Sequence, residues 1–275
     1  MGSQDVVNAA DLYIGRGEIY FDRFNASAAR TGERFLGNCT VFEISVTDEV
    51  REKKSSAEAT APLIKQVNVG RNVEISISLD EWDVYTLELF NMGTAKQFAQ
   101  TGASKSNYVP PVARVIQGRW FPLEDPAGTP RRGTVAEPLS ALVVTGPSAM
   151  PVYVLGTDYK VDLVSGRIYV IPGGGIADGA SLEVDFTYPT LAATDLPYVE
   201  AGTSNFIEGF LRFKSRQAAG PSVEVEVWKV SISPDGSQAY IGDDFAAFRL
   251  RGRVLADTDG HPTEPYYRIY EVAAT

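Results

Sequence analysis

The chain reads as a predominantly β protein, and three features of its sequence carry that reading. Apolar and polar residues alternate in Asn72-Val-Glu-Ile-Ser-Ile-Ser-Leu79, so that Val73, Ile75, Ile77 and Leu79 share one strand face and Glu74, Ser76 and Ser78 the other. The same period returns in Val41-Phe-Glu-Ile-Ser-Val-Thr47, with Phe42, Ile44 and Val46 opposite Glu43, Ser45 and Thr47. The 25 glycines and 16 prolines among 275 residues suit many turns better than long helices.

The elements follow in order. Residues 13–21 mix glycines with Ile14, Ile19, Tyr20 and Phe21 and open the β pattern. Between the two alternating strands, residues 48–62 carry charges of both signs and exceed the usual hairpin loop of about 2–5 residues, which reads as a long charged loop. After Leu79, Asp80 is suited to cap a short helix, with Glu81 and Asp83 near its positive end and Trp82, Tyr85 and Leu89 on its apolar side, ending near Gly93. A strand is expected around 113–121, then a linker-like run over 122–138 containing Arg131-Arg132. Residues 139–188 read as a small β unit with strands near 152–154, 159–163, 167–171 and 181–188. After another linker-like run, strands resume over 205–213, 223–233 and 245–254, the last two separated by the turn Ser233-Pro-Asp-Gly236. This divides the chain into a core of residues 1–121 and 198–275 and an inserted or elaborating unit over 122–197.

Composition excludes some functions. No apolar run approaches the roughly 20 residues of a membrane helix, and Met1-Gly-Ser-Gln-Asp lacks the basic and apolar parts of a signal peptide, which predicts synthesis in the cytoplasm. Cys39 is the only cysteine, so neither an intrachain disulfide nor a multi-thiolate zinc site is available within one chain. The formal net charge of −10 argues against a protein that wraps nucleic acid by neutralising phosphates.

The candidates for chemistry are few. His261, the only histidine, sits beside Gly260 and Pro262 in an acidic turn, where a solvated loop residue is the expected role rather than a catalytic one. Asp257-Thr-Asp-Gly260 has the opening of a calcium loop but not its spaced bidentate Glu, and reads as a turn. Asp243-Asp244, near Asp235, suits a metal pair or a turn with a helix cap. Gly173-Gly-Gly175 lacks the Gly-Lys-Ser/Thr of a phosphate loop and reads as a hairpin turn. Lys53-Lys54 and Arg131-Arg132 are isolated basic pairs. No enzyme, cofactor or metal site is expected.

The order of these features resembles the major tail tube proteins of tailed bacteriophages. The resemblance rests on Tyr13-Ile-Gly-Arg-Gly-Glu-Ile-Tyr-Phe21, on Phe35-Leu-Gly-Asn38 leading into residues 41–47, on the long charged loop, and on residues 73–79 followed by a short helix. Trp228-Lys-Val-Ser-Ile-Ser-Pro-Asp-Gly236 and Ile241-Gly-Asp-Asp-Phe245 extend it to the C-terminal quarter. It implies two packed antiparallel sheets, a sandwich or half-barrel with a flanking helix, and six copies closing into rings that stack into a tube conducting DNA. Sheets of neighbouring subunits would join around the lumen, removing exposed strand edges. Glu43, Ser45, Thr47, Glu74, Ser76 and Ser78 would then line the lumen, with Glu18, Glu224 and Glu226 as weaker candidates, and Glu49, Arg51, Glu52, Lys53, Lys54 and Glu58 would contact the next ring. The resemblance further implies a tape measure protein, a baseplate and tail terminator proteins as partners, and a place in the virion tail. The unit over 122–197 would thicken the ring or decorate its exterior, where some members carry an immunoglobulin-like domain, or form part of the sandwich.

An acidic, hydroxyl-bearing wall has a physical merit in such a tube. A duplex bearing a negative charge about every 1.7 Å of axis adheres to basic surfaces through counterion release, and finds no clamp on such a wall. Any antiparallel sheet with one solvated face shows the same alternation, however. A second reading, a β-sandwich adhesin or carbohydrate-binding module of a phage fibre or baseplate, would use solvent-facing aromatics, for which Tyr266, Tyr267 and Tyr270 are the candidates.

Overall fold

The computed structural model describes residues 12–57, 59–125, 127–216, 219–243 and 245–272. Sixteen strands and one α-helix follow in chain order: β1 Gly17–Arg23, β2 Arg34–Phe35, β3 Cys39–Lys54, β4 Leu63–Leu79, α1 Val84–Phe90, β5 Thr94–Gln97, β6 Ala103–Tyr108, β7 Trp120–Pro122, β8 Ser140–Thr145, β9 Tyr159–Asp162, β10 Arg167–Val170, β11 Glu183–Tyr188, β12 Pro197–Glu200, β13 Ile207–Ser215, β14 Ser222–Asp235, β15 Phe248–Val254 and β16 Tyr267–Val272. The protein is mainly β with several antiparallel sheets, as the alternation predicts. The chain divides into two compact units, one running through Ala95 and resuming at Val199, the other Lys96–Tyr198.

The first unit is built on one eight-stranded sheet in the order β2-β1-β13-β14-β15-β4-β3, with β16 also paired to β14. The sheet forks at β14. Residues 222–227 of that strand pair with β16, and residues 230–235 pair with β15. The split falls where β13 and β14 slip register between Gly209 and Leu211, a β-bulge that bends the strand and raises its twist. The two wings fold toward each other, and Phe42 of β3 stacks on Phe213 of β13 with ring centroids 5.1 Å apart. One core fills the space between them, with Ile19 and Phe21 from β1, Ile75 and Ile77 from β4, Leu211 from β13, Val227 and Ile232 from β14, and Phe248 and Leu250 from β15. Among the described residues no barrel closes, because β3 pairs only with β4 and β2 only with β1. Gly209 permits the close approach of β13 to β1: a Cβ there would lie 2.4 Å from the Asp22 carbonyl oxygen and 2.5 Å from the Phe21 ring.

The helix starts later than Asp80. Asp83 is its cap, accepting from the Thr86 amide at 2.6 Å while the Thr86 hydroxyl accepts from the Asp83 amide at 3.0 Å, a reciprocal capping box. Asp80 and Glu81 serve the Asn38 turn instead, accepting from its side-chain amide at 2.6 Å and its backbone amide at 2.8 Å. In the same turn Gly37 has φ +81, and any side chain there would also meet Glu81 at 2.8 Å. Tyr85, Leu89 and Phe90 of α1 enter the core, and Trp82 packs on it from outside the helix.

The second unit holds two three-stranded sheets, β7-β10-β9 and β6-β11-β8. Phe121, Ile168 and Val170 of one and Val144, Val184 and Phe186 of the other belong to a single buried cluster. This unit takes in β6 and β7 as well as the strands beyond Pro122. The strand expected around 113–121 is a short 3₁₀ turn, Val112–Arg114, followed by the brief β7, and residues 152–154 contribute only an isolated bridge. The glycine run 173–175 is a turn between β10 and β11, which belong to different sheets, so it closes no hairpin.

Candidate functional site

The polar face singled out by alternation lies on β3, β4 and β15, and the antiparallel register fixes its rows. Glu43 stands opposite Ser76, Ser76 opposite Arg251, and Arg251 opposite Ser233 of β14. The next row is Ser45, Glu74, Arg253 and Ser231, and the row on the other side is Val41, Ser78, Arg249 and Asp235. Glu43, Ser45, Thr47, Glu74 and Ser76 are exposed on this face. Ser78 is not: it is only 7% exposed, standing between the larger side chains of its cross-strand neighbours Val41 and Arg249.

The larger correction concerns charge. The face is not free of bases, because Arg249, Arg251 and Arg253 project from it as a column on β15, all three exposed. The signal was present in Phe248-Arg-Leu-Arg-Gly-Arg-Val254, whose alternation is as regular as that of β4 and whose polar positions are all arginine. An acidic wall therefore describes only the β3 and β4 part of the surface.

The expected long loop is also different. Strands β3 and β4 run 16 and 17 residues, carrying the hairpin through Lys54 and back from Leu63 and leaving only residues 55–62 as the connection. The last β4 residue paired with β15 is Val73. From Asn72 outward, about ten residues of β4 pair only with β3, so a two-stranded arm projects by about 30 Å at the usual strand rise. The charged β3 half reads as a loop in the sequence because the apolar half of the arm, residues 63–69, lies downstream of it and no clean period marks either strand. Two bulges, at Glu49/Val50 and Lys53/Lys54, break that period.

Glu49, Arg51, Glu52, Lys53 and Lys54 are exposed along this arm, while Glu58 lies outside the described residues. Arg71 donates to Asp48 at 2.7 Å across the arm's base, and that hydrogen bond holds the Asp48 carboxyl below its ordinary range. Farther out Lys53 faces Lys65, a like-charge pair that favours an acidic neighbour. On the arm Val50, Leu63, Ile64, Val67 and Val69 all remain between 36% and 65% exposed. Val50 and Arg51 are adjacent on β3 and point to opposite faces, and Val67 pairs with Arg51, so apolar side chains stand uncovered on both faces of the arm.

The weaker acidic candidates belong to the other wing and are internally neutralised. Glu18 pairs with Arg216 at 2.9 Å and accepts from the Tyr20 hydroxyl, which pushes that phenol's pKa up. Glu224 pairs with Arg212 at 3.0 Å, and Arg212 also bridges to Glu33 at 2.6 Å. Glu226 is half-buried opposite Arg212 on β13 and Arg268 on β16. Of the tyrosines proposed for a binding module, Tyr266 and Tyr267 pack against the core, and Tyr270 alone is exposed.

His261 is held in place rather than free in solvent. Its ring stacks on Trp228 with centroids 3.6 Å apart and planes 2° from parallel, and its Nδ1 lies 2.8 Å from Asp257 Oδ2. That hydrogen bond is the first of the interactions that lower the Asp257 carboxyl pKa. Asp257 also accepts from the Gly260 amide at 3.2 Å, closing the turn expected at 257–260. No serine or cysteine hydroxyl or thiol bonds to the ring among the described contacts, and Cys39, the chain's thiol, has its pKa raised by burial. Among the described residues no three acidic, histidine or cysteine side chains converge as a metal site; Asp244 lies outside them. No described helix is long and apolar enough to cross a membrane.

A family model described as "Protein of unknown function UCP028589" matches residues 12–266. No curated protein matches the chain.

Proposed function

The chain belongs to that family, and we propose that it is a self-assembling structural subunit, the tail tube protein of a tailed bacteriophage. One observation carries the reading: a hairpin arm about 30 Å long projects from the folded body with five aliphatic side chains uncovered on both its faces. An isolated two-stranded hairpin is marginal in water, and an apolar one invites association. A second copy that covers the arm removes both liabilities. Among the described residues the outer edges of β3 and β16 have no partner strand, and pairing between neighbours in a ring would satisfy their backbone groups.

In this assembly the β3–β4–β15 face looks into the channel. Its carboxylates, hydroxyls and guanidiniums intermix, so it presents neither a continuous basic clamp nor a uniformly repulsive wall to a passing duplex. The arm takes the inter-ring role, with Glu49, Arg51, Glu52, Lys53 and Lys54 setting register and the aliphatic residues supplying affinity. Tape measure, baseplate and tail terminator proteins would be the partners that set length and ends. The adhesin reading loses ground, because two of its three tyrosines are committed to the core.

The test is negative-stain electron microscopy and sedimentation of the concentrated protein beside a variant lacking residues 48–61. Rings or tubes from the parent chain, absent from a still folded variant, support the proposal. Equal association of both chains, or discrete monomers of both in the presence of preformed assemblies as seeds, contradicts it.

A further inference from the structure

The arginine column on β15 is little engaged in holding the fold. Arg249, Arg251 and Arg253 recur every second residue, which spaces them by about 6.8 Å along an antiparallel strand. Carboxylates stand directly across from two of them, Asp235 opposite Arg249 and Glu74 opposite Arg253. Yet among the described residues Arg249 and Arg251 have no ion-pair partner, and Arg253 donates only to the Asn72 side-chain oxygen at 3.0 Å. Beside the column lies an open groove of about 340 Å³, flanked by Ser231, Ser233, Asn205 and the exposed Phe206. Three guanidiniums with unfilled donors, the Ser231 hydroxyl on the neighbouring strand and an open groove make a linear acceptor-seeking site in a chain whose net charge is −10.

We infer that this column is a phosphate track that makes weak, sequence-independent contacts to a nucleic-acid backbone. The spacing is the reason for choosing this ligand. Combining the 3.4 Å axial rise with the turn of the helix puts consecutive phosphates of one strand about 7 Å apart, close to the roughly 6.8 Å between successive arginines, so the column matches three consecutive phosphates of a backbone running along β15. Guanidinium forks suit phosphate oxygens, and Ser231 adds a neutral donor, whereas the Ser233 hydroxyl already donates to the Arg251 carbonyl. The flanking Glu43, Glu74 and Asp235 keep the contact weak, because a backbone that settles more deeply meets carboxylates on both sides. The inference deepens the tube reading, in which this face meets DNA, but the site exists on a single subunit and is testable without assembly.

The experiment follows the arginine Nε–Hε resonances of the dilute, unassembled chain during titration with a short DNA duplex at about 20 mM salt. Saturating shifts are expected at Arg249, Arg251 and Arg253 and at the Ser231 and Ser233 amides. Three phosphate contacts give a log–log salt slope of about −2.7, roughly an 80-fold weakening from about 20 to about 100 mM salt. The triple variant R249Q/R251Q/R253Q should lose the shifts, and the corresponding triple lysine variant should retain binding through charge alone. Shifts confined to other residues, unchanged binding by the glutamine variant, or equal shifts with poly-glutamate would overturn the inference. The last result would assign the column to an acidic protein partner. None of these outcomes depends on whether rings form, so failure here leaves the tube proposal standing, and failure of assembly leaves the track standing.

Discussion

Replacing Ile64, Val67 and Val69 by threonine is the sharpest perturbation of the proposed assembly. The three side chains are 65%, 44% and 53% exposed in the single chain, together the equivalent of about one and a half fully exposed aliphatic residues. Complete burial of such a residue is worth about 1.5–3 kcal/mol, so covering the three in an interface contributes about 2–5 kcal/mol. Threonine keeps the β-branched shape and strand propensity while placing a hydroxyl where the partner's apolar surface would be. The association constant per arm should fall roughly 30- to 4,000-fold, at about 1.4 kcal/mol per tenfold. Sedimentation velocity over a concentration series measures this as a rise in the concentration at which fast-sedimenting species appear. Because the residues are solvent-exposed in the monomer, its denaturant midpoint should move little. An unchanged assembly threshold in a variant that unfolds like the parent would refute the reasoning, since the apolar arm would then not be at an interface.

Three further outcomes follow from the fold. Asp83→Ala removes one half of the capping box on α1 and should cost about 1 kcal/mol in urea unfolding; an unchanged midpoint would mean the helix is held by packing alone. Gly209→Ala forces a Cβ against the Asp22 carbonyl and the Phe21 ring and should destabilise by about 1–3 kcal/mol, with loss of cooperativity in the same assay if β13 slips. Burial alone would raise the Asp22 pKa, but hydrogen bonds from the Arg30 side chain and the Thr31 and Gly32 amides outweigh it, and the folded value is lowered. The depressed folded value makes this contribution fully present above the unfolded value of about 3.9 and lost as pH falls through the folded one. Unfolding midpoints measured from pH 5 downward should decline less steeply in Asp22→Asn than in the parent, and parallel declines would rule this contribution out.

How far the sequence could be read depended on whether the physics was local. Strand period located β1, β4, β13 and β14 because each has one face in a common core, and burial of one face leaves a two-residue signature. The same rule applied to β15 would have found the arginine column; what was needed was to ask which strands neighbour β4, and strand order is set by long-range pairing that no local pattern encodes. Ser78 shows a related limit, because alternation assigns a face but not the size of the cross-strand neighbours that cover a small side chain. The arm was obscured for the opposite reason. Both its faces await a partner, so neither strand carries the signature of a half-buried sheet, and the bulges break what period remains. The helix cap moved from Asp80 to Asp83 because three carboxylates compete over four residues, and Asn38, far away in sequence, engages the first two.

The most direct test of the account is an electron cryomicroscopy reconstruction of the assembled protein. A closed ring or stacked tube is expected, with the β3–β4 arm inserted against an adjacent copy and Glu43, Glu74 and the three β15 arginines facing a central channel. An assembly that leaves the arm in solvent, or turns the β15 face outward, would contradict the proposed function at its centre.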